Sequence, residues 1–420
     1  MKVFKFGGAS VNGVDRIKMV ANILTANKDE KLLIVLSAMG ETTNALEKVA
    51  EAFYAGNKEE ALQLFEVIKQ FHLTTLQHLV MNVKSATDNL INFFTEVEWL
   101  LHDDPVRNYD YYYDQIVPTG ELLSTWIVSA FLNEAGIENT WIDVRDIVRT
   151  DDNFREANID MEFTCKKMEE IIPPLFSSTA IIITQGFIGS TDENESTTLG
   201  REGSDYSAAV FANLLNAKDV TIWKDVPGVM NADPKAFSNA EVIHALSFTE
   251  VIEMAFYGAQ VIHPKTIKPL QNKNIPLRVK CFLQPDLAGT LITHQAVHQL
   301  PPIIVFKQNQ VLVEFNSKDF SFVGEKPVSR LYEIFADIKV KPNLTQNTAI
   351  SLLCCLDNIP DKIERLALAA SGIFDVQVEK NLTLLTIRHY KKELVAELTD
   401  GKNIVLEQKT KDTLQVMMRV

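Results

Sequence analysis

The sequence predicts an α/β protein in two parts. A mostly parallel sheet sandwiched by helices should cover residues 1–295, followed by ferredoxin-like βαββαβ units over 303–420. Three observations predict it. Apolar runs of strand length alternate with amphipathic helical segments through the first part, the pattern of a doubly wound sheet. One run, "LLIVLSAM" (32–39), is continuous rather than alternating, as burial on both faces requires. After "GTLITHQAVHQLPP" (289–302), the best linker, the rhythm shortens to strand, helix, strand, strand, helix, strand.

Taken in order, "VFKF" leads through "GGASVNG" into "VDRIKMVANIL", where Val14, Ile17, Val20 and Leu24 recur at helical spacing. Residues 45–115 are polar and acidic, with tyrosines clustered at "YDYYYD", and read as a helical insert. "GELLSTWIVSAFLNEAG" resumes the core as a helix. Strands follow at "AIIITQGFIG" (180–189), "DVTIWKDVPGV" (219–229) and "IPLRVKCF" (275–282), with helices over 206–216 and 248–257. The second part reads "VLVEF", "EKPVSRLYEIF", "DIKVK", "TAISLLCCL", "IPDKIERLALAA", "FDVQVE". A second pass, "LTLLTIRHY", "KKELVAEL", "NIVLEQK", "LQVMMRV", stops one helix and one strand short of a unit.

Composition bounds the function. Of 420 residues 46% are hydrophobic and 23% charged, an ordinary globular balance, and the net charge of −14 argues against a nucleic-acid or anionic-membrane surface. The four cysteines make no metal spacing, and Cys354–Cys355 lie in an apolar run. A reduced, cytoplasmic setting is expected, with no leader and no apolar run of membrane-spanning length.

Several loops carry chemistry. In "KFGGAS", Gly7 and Gly8 let backbone N–H groups approach an anion, the following helix points its positive end there, and Lys5 adds a mobile charge. Read alone, the same residues suit a plain turn with a surface lysine. In "TTLGREGSDYSAA" (197–209), Ser204 and Asp205 suit the N-cap of a helix from Tyr206, while Arg201 between glycines suits bidentate capture of a carboxylate or phosphate. "WKDVPGVMNADPK" (223–235) offers an aromatic, two lysines and a turn at Asp233-Pro234-Lys235, compatible with a nucleotide or with a solvated loop. "PTGELLS" sets Glu121 in the first turn of a helix, a favourable dipole position, and His263 in "GAQVIHPKTI" reads as structural.

In their order, "KFGGAS", "VLSAMGETTN", "GELLS", "TTLGREGSD", "WKDVPGV…DP" and "GAQVIHPKT", followed by paired ACT-type units, resemble the aspartokinases of the amino-acid kinase family. The resemblance implies transfer of phosphate from MgATP to the β-carboxylate of L-aspartate, the first step toward lysine, threonine, methionine and diaminopimelate. It implies Lys5 as the catalytic lysine, with Gly7 and Gly8 donating to the moving phosphoryl group and Ala9 beside them at the ATP. Ser37 and Thr43 would line the substrate, Glu121 hold its amino group and Arg201 its α-carboxylate. Ser204 would stand on the substrate side, with Asp205 organising the lysines. Trp223, Lys224, Asp225, Asp233, Lys235 and Lys265 would serve the nucleotide. No metal ligand is assigned: Mg²⁺ would be held by phosphates and water.

Three departures stand out. Glu202 replaces a glycine usual beside Arg201. Gln260 replaces a lysine, leaving a phosphate contact weakened or passed to Lys265 or Lys235. "KVKPNLT" replaces the Val-Asp-Leu-Ile type of segment found in lysine-sensitive relatives. A regulatory amino acid, lysine or threonine, is expected near Asn316, Ser317, Asn343 and Asn347, and pairing of ACT-like units suggests a homodimer. The alternatives are another amino-acid kinase, of glutamate 5-kinase or acetylglutamate kinase type, and an amino-acid sensor without turnover. The insert, Glu121 and the ACT-like tail oppose the first; Lys5, Arg201 and Asp205 oppose the second.

Overall fold

A computed structural model describes residues 1–259, 262–319 and 321–419. It divides into two compact units. The first is Met1–Val229, Val242–Ile252 and Val261–Val297; the second is Met230–Glu241, Glu253–Gln260 and His298–Val420.

The chain opens with β1 (Lys2–Phe6), a single 3₁₀ turn over Gly8–Val11, α1 (Val14–Thr25) and β2 (Leu32–Leu36). The insert follows as α2 (Thr42–Tyr54), α3 (Lys58–Leu79), α4 (Val83–His102) and α5 (Tyr109–Ile116). Then come α6 (Thr119–Glu134), β3 (Asn139–Trp141), α7 (Met161–Leu175), β4 (Ile181–Gln185) and a hairpin of β5 (Ile188–Ser190) and β6 (Ser196–Thr198). The rest is α8 (Gly203–Leu214), β7 (Val220–Lys224), β8 (Ala245–Ser247), α9 (Phe248–Tyr257), α10 (Pro264–Asn272), β9 (Leu277–Cys281) and β10 (Thr290–Thr293).

The main sheet has the order β3-β4-β2-β1-β7-β9-β10-β8, parallel except where β10 runs against β9. Burial explains the central position of β2: all five of its residues are buried between β1 and β4. β1 alternates faces, so Phe4 and Phe6 enter the apolar core with α1 while Lys5 projects on the other side, toward α8. Because β1, β2, β4 and β7 are parallel, their carboxyl ends and the loops leaving them share one edge.

The run read as one strand over 180–189 is two. Gly186 has no space for a Cβ, which would lie 2.7 Å from Ser204 Cα, and Phe187 adopts φ 71°, so the chain turns between β4 and β5.

The second unit is an antiparallel six-stranded sheet of order β12-β13-β11-β14-β16-β15. Its elements are β11 (Ile303–Ser317), α11 (Glu325–Ile338), β12 (Leu344–Asn347), β13 (Ser351–Asp357), α12 (Pro360–Ala370), β14 (Phe374–Arg388), α13 (Lys392–Thr399), β15 (Asn403–Lys409) and β16 (Thr413–Arg419). The segment "DIKVK", expected as a strand, is the end of α11. Leu331, Ile334, Phe335 and Ile338 hold the helical face to that point, and Lys339 in the left-handed region stops it.

Three expected short strands fall within two 15-residue strands. "FDVQVE" and "LTLLTIRHY" join as β14, and "VLVEF" is the second half of β11. The second ACT-like pass therefore does not lack its fourth strand. Residues Ile303–Lys307 of β11 pair with Leu384–Arg388 and supply it. The missing helix leaves an apolar face that α13 shares with residues 230–241: Ala232, Phe237 and Ala240 join Ile304, Leu385 and Val416, and Phe237 stacks on Phe306 at 5.8 Å. Cys354 and Cys355 are buried on opposite faces of β13. Burial pushes both thiols up to about 12, so they behave as small apolar side chains.

Candidate active site

The carboxyl edge of the first sheet brings Lys5, Lys224, Asp205 and Glu121 together. Lys5 Nζ lies 2.6 Å from Asp205 Oδ1, and Lys224 Nζ lies 3.9 Å from Oδ2. Burial would raise the Asp205 carboxyl, but the charges of Lys5 and then Lys224, with the Lys5 hydrogen bond, outweigh it and hold the group below its usual range. Asp205 stays ionised and fixes two ammonium groups at one edge.

Sequence reasoning placed Ser204 and Asp205 as caps. The helix begins earlier, at Gly203, because Glu202 in the left-handed region (φ 55°, ψ 27°) makes the turn. Ser204 and Asp205 thus occupy the first turn of α8, where a carboxylate meets the positive end of the helix.

Gly7 and Gly8 follow β1 directly. The need for glycine at position 8 is steric: a Cβ there would fall 2.7 Å from Ala38 O and 3.0 Å from Gly40 O. The close approach is held by Gly40 N–H donating to Gly8 O and Ser37 N–H donating to Phe6 O, both 3.1 Å. The helix expected behind these glycines is the 3₁₀ turn, and α1 starts only at Val14. Ser37 and Thr43 are half-buried, and Ala9 is exposed with its carbonyl accepting from Arg16 at 2.5 Å.

Glu121 is the least expected group. Its helix is apolar, its side chain is 2% exposed, and its Oε1 accepts only a long 3.4 Å bond from Ala38 N–H. Oε2 is buried without a hydrogen-bond partner among the described residues. Burial pushes the carboxyl up to about 8 against the opposing pull of backbone N–H groups and of Lys5. An unpartnered buried carboxyl costs free energy and invites a cationic ligand.

Arg201 is exposed on a loop held from three directions. Asp114, from the tyrosine cluster, accepts from Thr198 N–H at 2.8 Å and Thr198 Oγ1 at 2.7 Å. Lys265 Nζ donates to Leu199 O at 3.1 Å and sits 4.5 Å from the Tyr206 ring centroid. Glu202 Oε2 accepts from His263 N–H at 3.0 Å. Sequence reasoning gave Asp114 no role; an acidic residue inside an aromatic cluster was the one available signal. Burial lowers the Lys265 ammonium, with Glu156 opposing, and its two contacts turn it toward the loop. His263 caps α10, its ring accepting from Lys265 N–H.

Trp223 differs from expectation. Its ring stacks on Phe6 at 5.8 Å and 4°, on the sheet face away from Lys5, with the Lys280 ammonium 5.5 Å from its centroid. The ring belongs to the core, while Lys224 and exposed Asp225 continue the strand to the site edge. Asp233 and Lys235 belong to the second unit, where Asp233 accepts from Lys235 N–H at 2.9 Å in the expected turn. Position 260 lies outside the described residues.

Of the four expected effector residues, three share one end of the second sheet. Asn316 accepts from Ser351 Oγ at 2.7 Å, Ser317 Oγ donates to Asp319 at 2.9 Å, and Asn347 stands across from Leu352. Hydrogen bonds from Ser321 and Ser317 bring the exposed Asp319 carboxyl down to about 2. Asn343 stands toward the opposite end, four residues or about 13 Å from Asn347 at strand rise, bonded to Lys307, Gln310 and Asp357.

Among the described residues no group of three or more His, Cys, Asp or Glu side chains could hold a metal ion, and no helix is long and apolar enough to cross a membrane.

Comparison with known proteins agrees with this geometry. The model of the amino acid kinase family matches residues 1–281. Lysine-sensitive aspartokinase 3 of Escherichia coli K12 is 31% identical over 402 residues, covering 92% of this chain and 86% of its own. The crystal structure of E. coli aspartokinase III with aspartate and ADP superposes with a TM-score of 0.83 at 28% identity, over 100% of this chain and 96% of that one. The form with lysine and aspartate gives 0.82, also at 28%, over 99% and 95%. The chain belongs to the amino acid kinase family and, within it, to the aspartokinases.

Proposed function

We propose that the chain transfers the γ-phosphoryl group of MgATP to the β-carboxylate of L-aspartate, giving 4-phospho-L-aspartate, the step that opens lysine, threonine, methionine and diaminopimelate synthesis. The observation that carries this reading is Glu121: a buried carboxyl with an unpartnered oxygen, beside Lys5, is fitted to an ammonium group. Arg201, on its braced loop, is fitted to the α-carboxylate. E. coli aspartokinase III holds aspartate and ADP in its crystal, and the likeness supports the same pair of ligands here.

The nucleophile needs no base. A β-carboxylate has a reference pKa near 4 and arrives ionised. Catalysis then requires alignment and neutralisation of the charge on the moving phosphoryl group. Lys5 is suited to this because Asp205 orients its ammonium at the strand end, and Lys224 shares the same carboxylate. Backbone N–H groups of Gly7 and Gly8 stand beside it. Each cation about 4 Å from a phosphate charge is worth about 4 kcal/mol at an effective dielectric near 20. Mg²⁺ enters as part of the nucleotide substrate.

The second unit supports regulation by an amino acid, lysine or threonine, at the sheet end formed by Asn316, Ser317 and Asn347. The lysine-bound E. coli structure favours lysine. A homodimer paired through these units and a cytoplasmic location complete the reading.

Trapping the product with hydroxylamine tests it. Hydroxamate should form only with both aspartate and ATP. Equal turnover of glutamate or N-acetylglutamate would overturn the assignment. Activity and melting temperature unmoved by every pathway amino acid would remove the regulatory part.

A further inference from the structure

We infer that Glu202 is a positioning residue whose carboxylate, fixed on the amide of His263, holds the loop that carries Arg201 in the shape that receives the substrate α-carboxylate. The inference rests on the reading of Arg201 as that carboxylate's clamp.

Glu202 stands where the backbone asks for glycine. Its φ of 55° and ψ of 27° lie in the left-handed region, where a Cβ crowds the neighbouring carbonyl and glycine is favoured. It also sets a negative charge next to Arg201, the opposite of what capture of an anion calls for. A residue unfavourable on both counts needs a compensating contact, and it has one. Oε2 accepts from His263 N–H at 3.0 Å, and His263 is the N-cap of α10. The charge is thereby set against an amide at the positive end of a helix.

The bond has a second strand beside it. Two residues on, Lys265 Nζ donates to Leu199 O at 3.1 Å, two residues before Arg201. Arg201 is thus flanked on both sides by ties to one short segment, His263–Lys265. The third tie, Asp114 to Thr198, fixes where the loop leaves β6. Within the loop, Leu199 N–H donates to Phe187 O at 2.8 Å and Gly203 N–H to Gly200 O at 3.0 Å, so Arg201 sits at the crest of a turn anchored at both feet. Removing the Glu202 carboxylate frees the foot adjoining α8.

Two full-length variants test this. Glu202→Gly suits the local backbone, so it should fold and melt no lower than wild type. It should raise the aspartate KM about tenfold, the loss of one charge-assisted hydrogen bond. The ATP KM and kcat should stay within about twofold of wild type. Glu202→Gln keeps an acceptor oxygen and should hold the aspartate KM within about threefold of wild type. An aspartate KM unchanged in Glu202→Gly, or raised equally in Glu202→Gln, overturns the inference. Hydrogen exchange separates this outcome from failure of the proposed function. In the substrate-free protein, Glu202→Gly should speed exchange at the His263 amide; unchanged exchange overturns the clasp, whereas absence of aspartate turnover in wild type overturns only the function.

Discussion

Each unit of the molecule holds a polar cluster of side chains that reach one another across strands, and the two clusters are built differently. In the second unit, Asn343, Gln310, Asp357 and Lys307 satisfy one another. Lys307 Nζ reaches Asn343 at 2.6 Å, Asn343 donates to Gln310 and Asp357 at 2.8 and 2.9 Å, and Gln310 donates to Asp357 at 2.9 Å. In the first unit, Lys5, Asp205 and Lys224 form a comparable group, yet Glu121 next to them keeps an oxygen without a hydrogen-bond partner among the described residues. A closed network fixes the register of its strands; an open one leaves a place for a ligand. The distinction depends on which hydrogen bonds are missing, and burial alone does not reveal it.

The sharpest way to break this comparison is Lys5→Ala. Aspartate-dependent hydroxamate should fall by about 10³ or more, since the group facing the moving charge is gone. Asp205 would be left buried with Lys224 alone, and stability should drop by about 3–5 kcal/mol. Retained turnover would mean the open cluster is not the site.

Glu121→Gln should act in two directions. The aspartate KM should rise by about 10²-fold, because the ammonium loses its counter-charge. The empty protein should become more stable at neutral pH. Burial pushes the Glu121 carboxyl from about 4.5 in the unfolded chain up to about 8 in the folded one, so the folded state holds an extra proton between these values. Wild-type stability therefore declines as pH rises from about 4.5 to about 8, and the glutamine variant should lack that part of the decline. Chemical denaturation across this range checks the sign. Aspartate binding near pH 7 should also release a proton from Glu121, measurable by calorimetry in two buffers of different ionisation enthalpy.

The closed cluster should give the smallest effect. Asn343→Ala should lower the stability of the second unit by about 1–3 kcal/mol and leave the aspartate KM unchanged. A change in substrate affinity would show that this network is more than structural.

Much of the first unit was legible because its signals are local. A continuous apolar run such as Leu32–Leu36 has one good location, and glycine pairs after a strand mark an edge where backbone approaches backbone. Glu121 was legible by position and not by state: nothing in "GELLS" says that its carboxyl lacks a partner. The second unit was harder because its breaks are not ends. Asn309 and Asn381, with φ of 54° and 62°, hold a left-handed conformation of the kind usual in turns. In the fold Asn309 sits within β11 at the shift in register between Lys307 and Gln310, Asn381 sits within β14 opposite the shift between Gln310 and Leu312, and both strands continue past them. The packing of residues 230–241 was hidden for a related reason. "NADPK" carries the turn signals of a loop, but Phe237 pairs with a strand far along the chain, which no window of neighbours contains.

The exchange of strands between β11 and β14 bears on how the protein is made. Ile303 pairs with Arg388, so the first strand of the second unit leaves the ribosome long before its partner exists. Until β14 is complete, neither half of that sheet has all its edges covered, and an uncovered apolar edge is a route to aggregation. Closing so distant a pair is slow in entropic terms. The parallel core upstream, already synthesised, can fold without waiting. Synthesis order would thus give a finished catalytic half first and its partner late, and any cut or fusion between residues 308 and 382 would leave both halves of the second sheet a strand short.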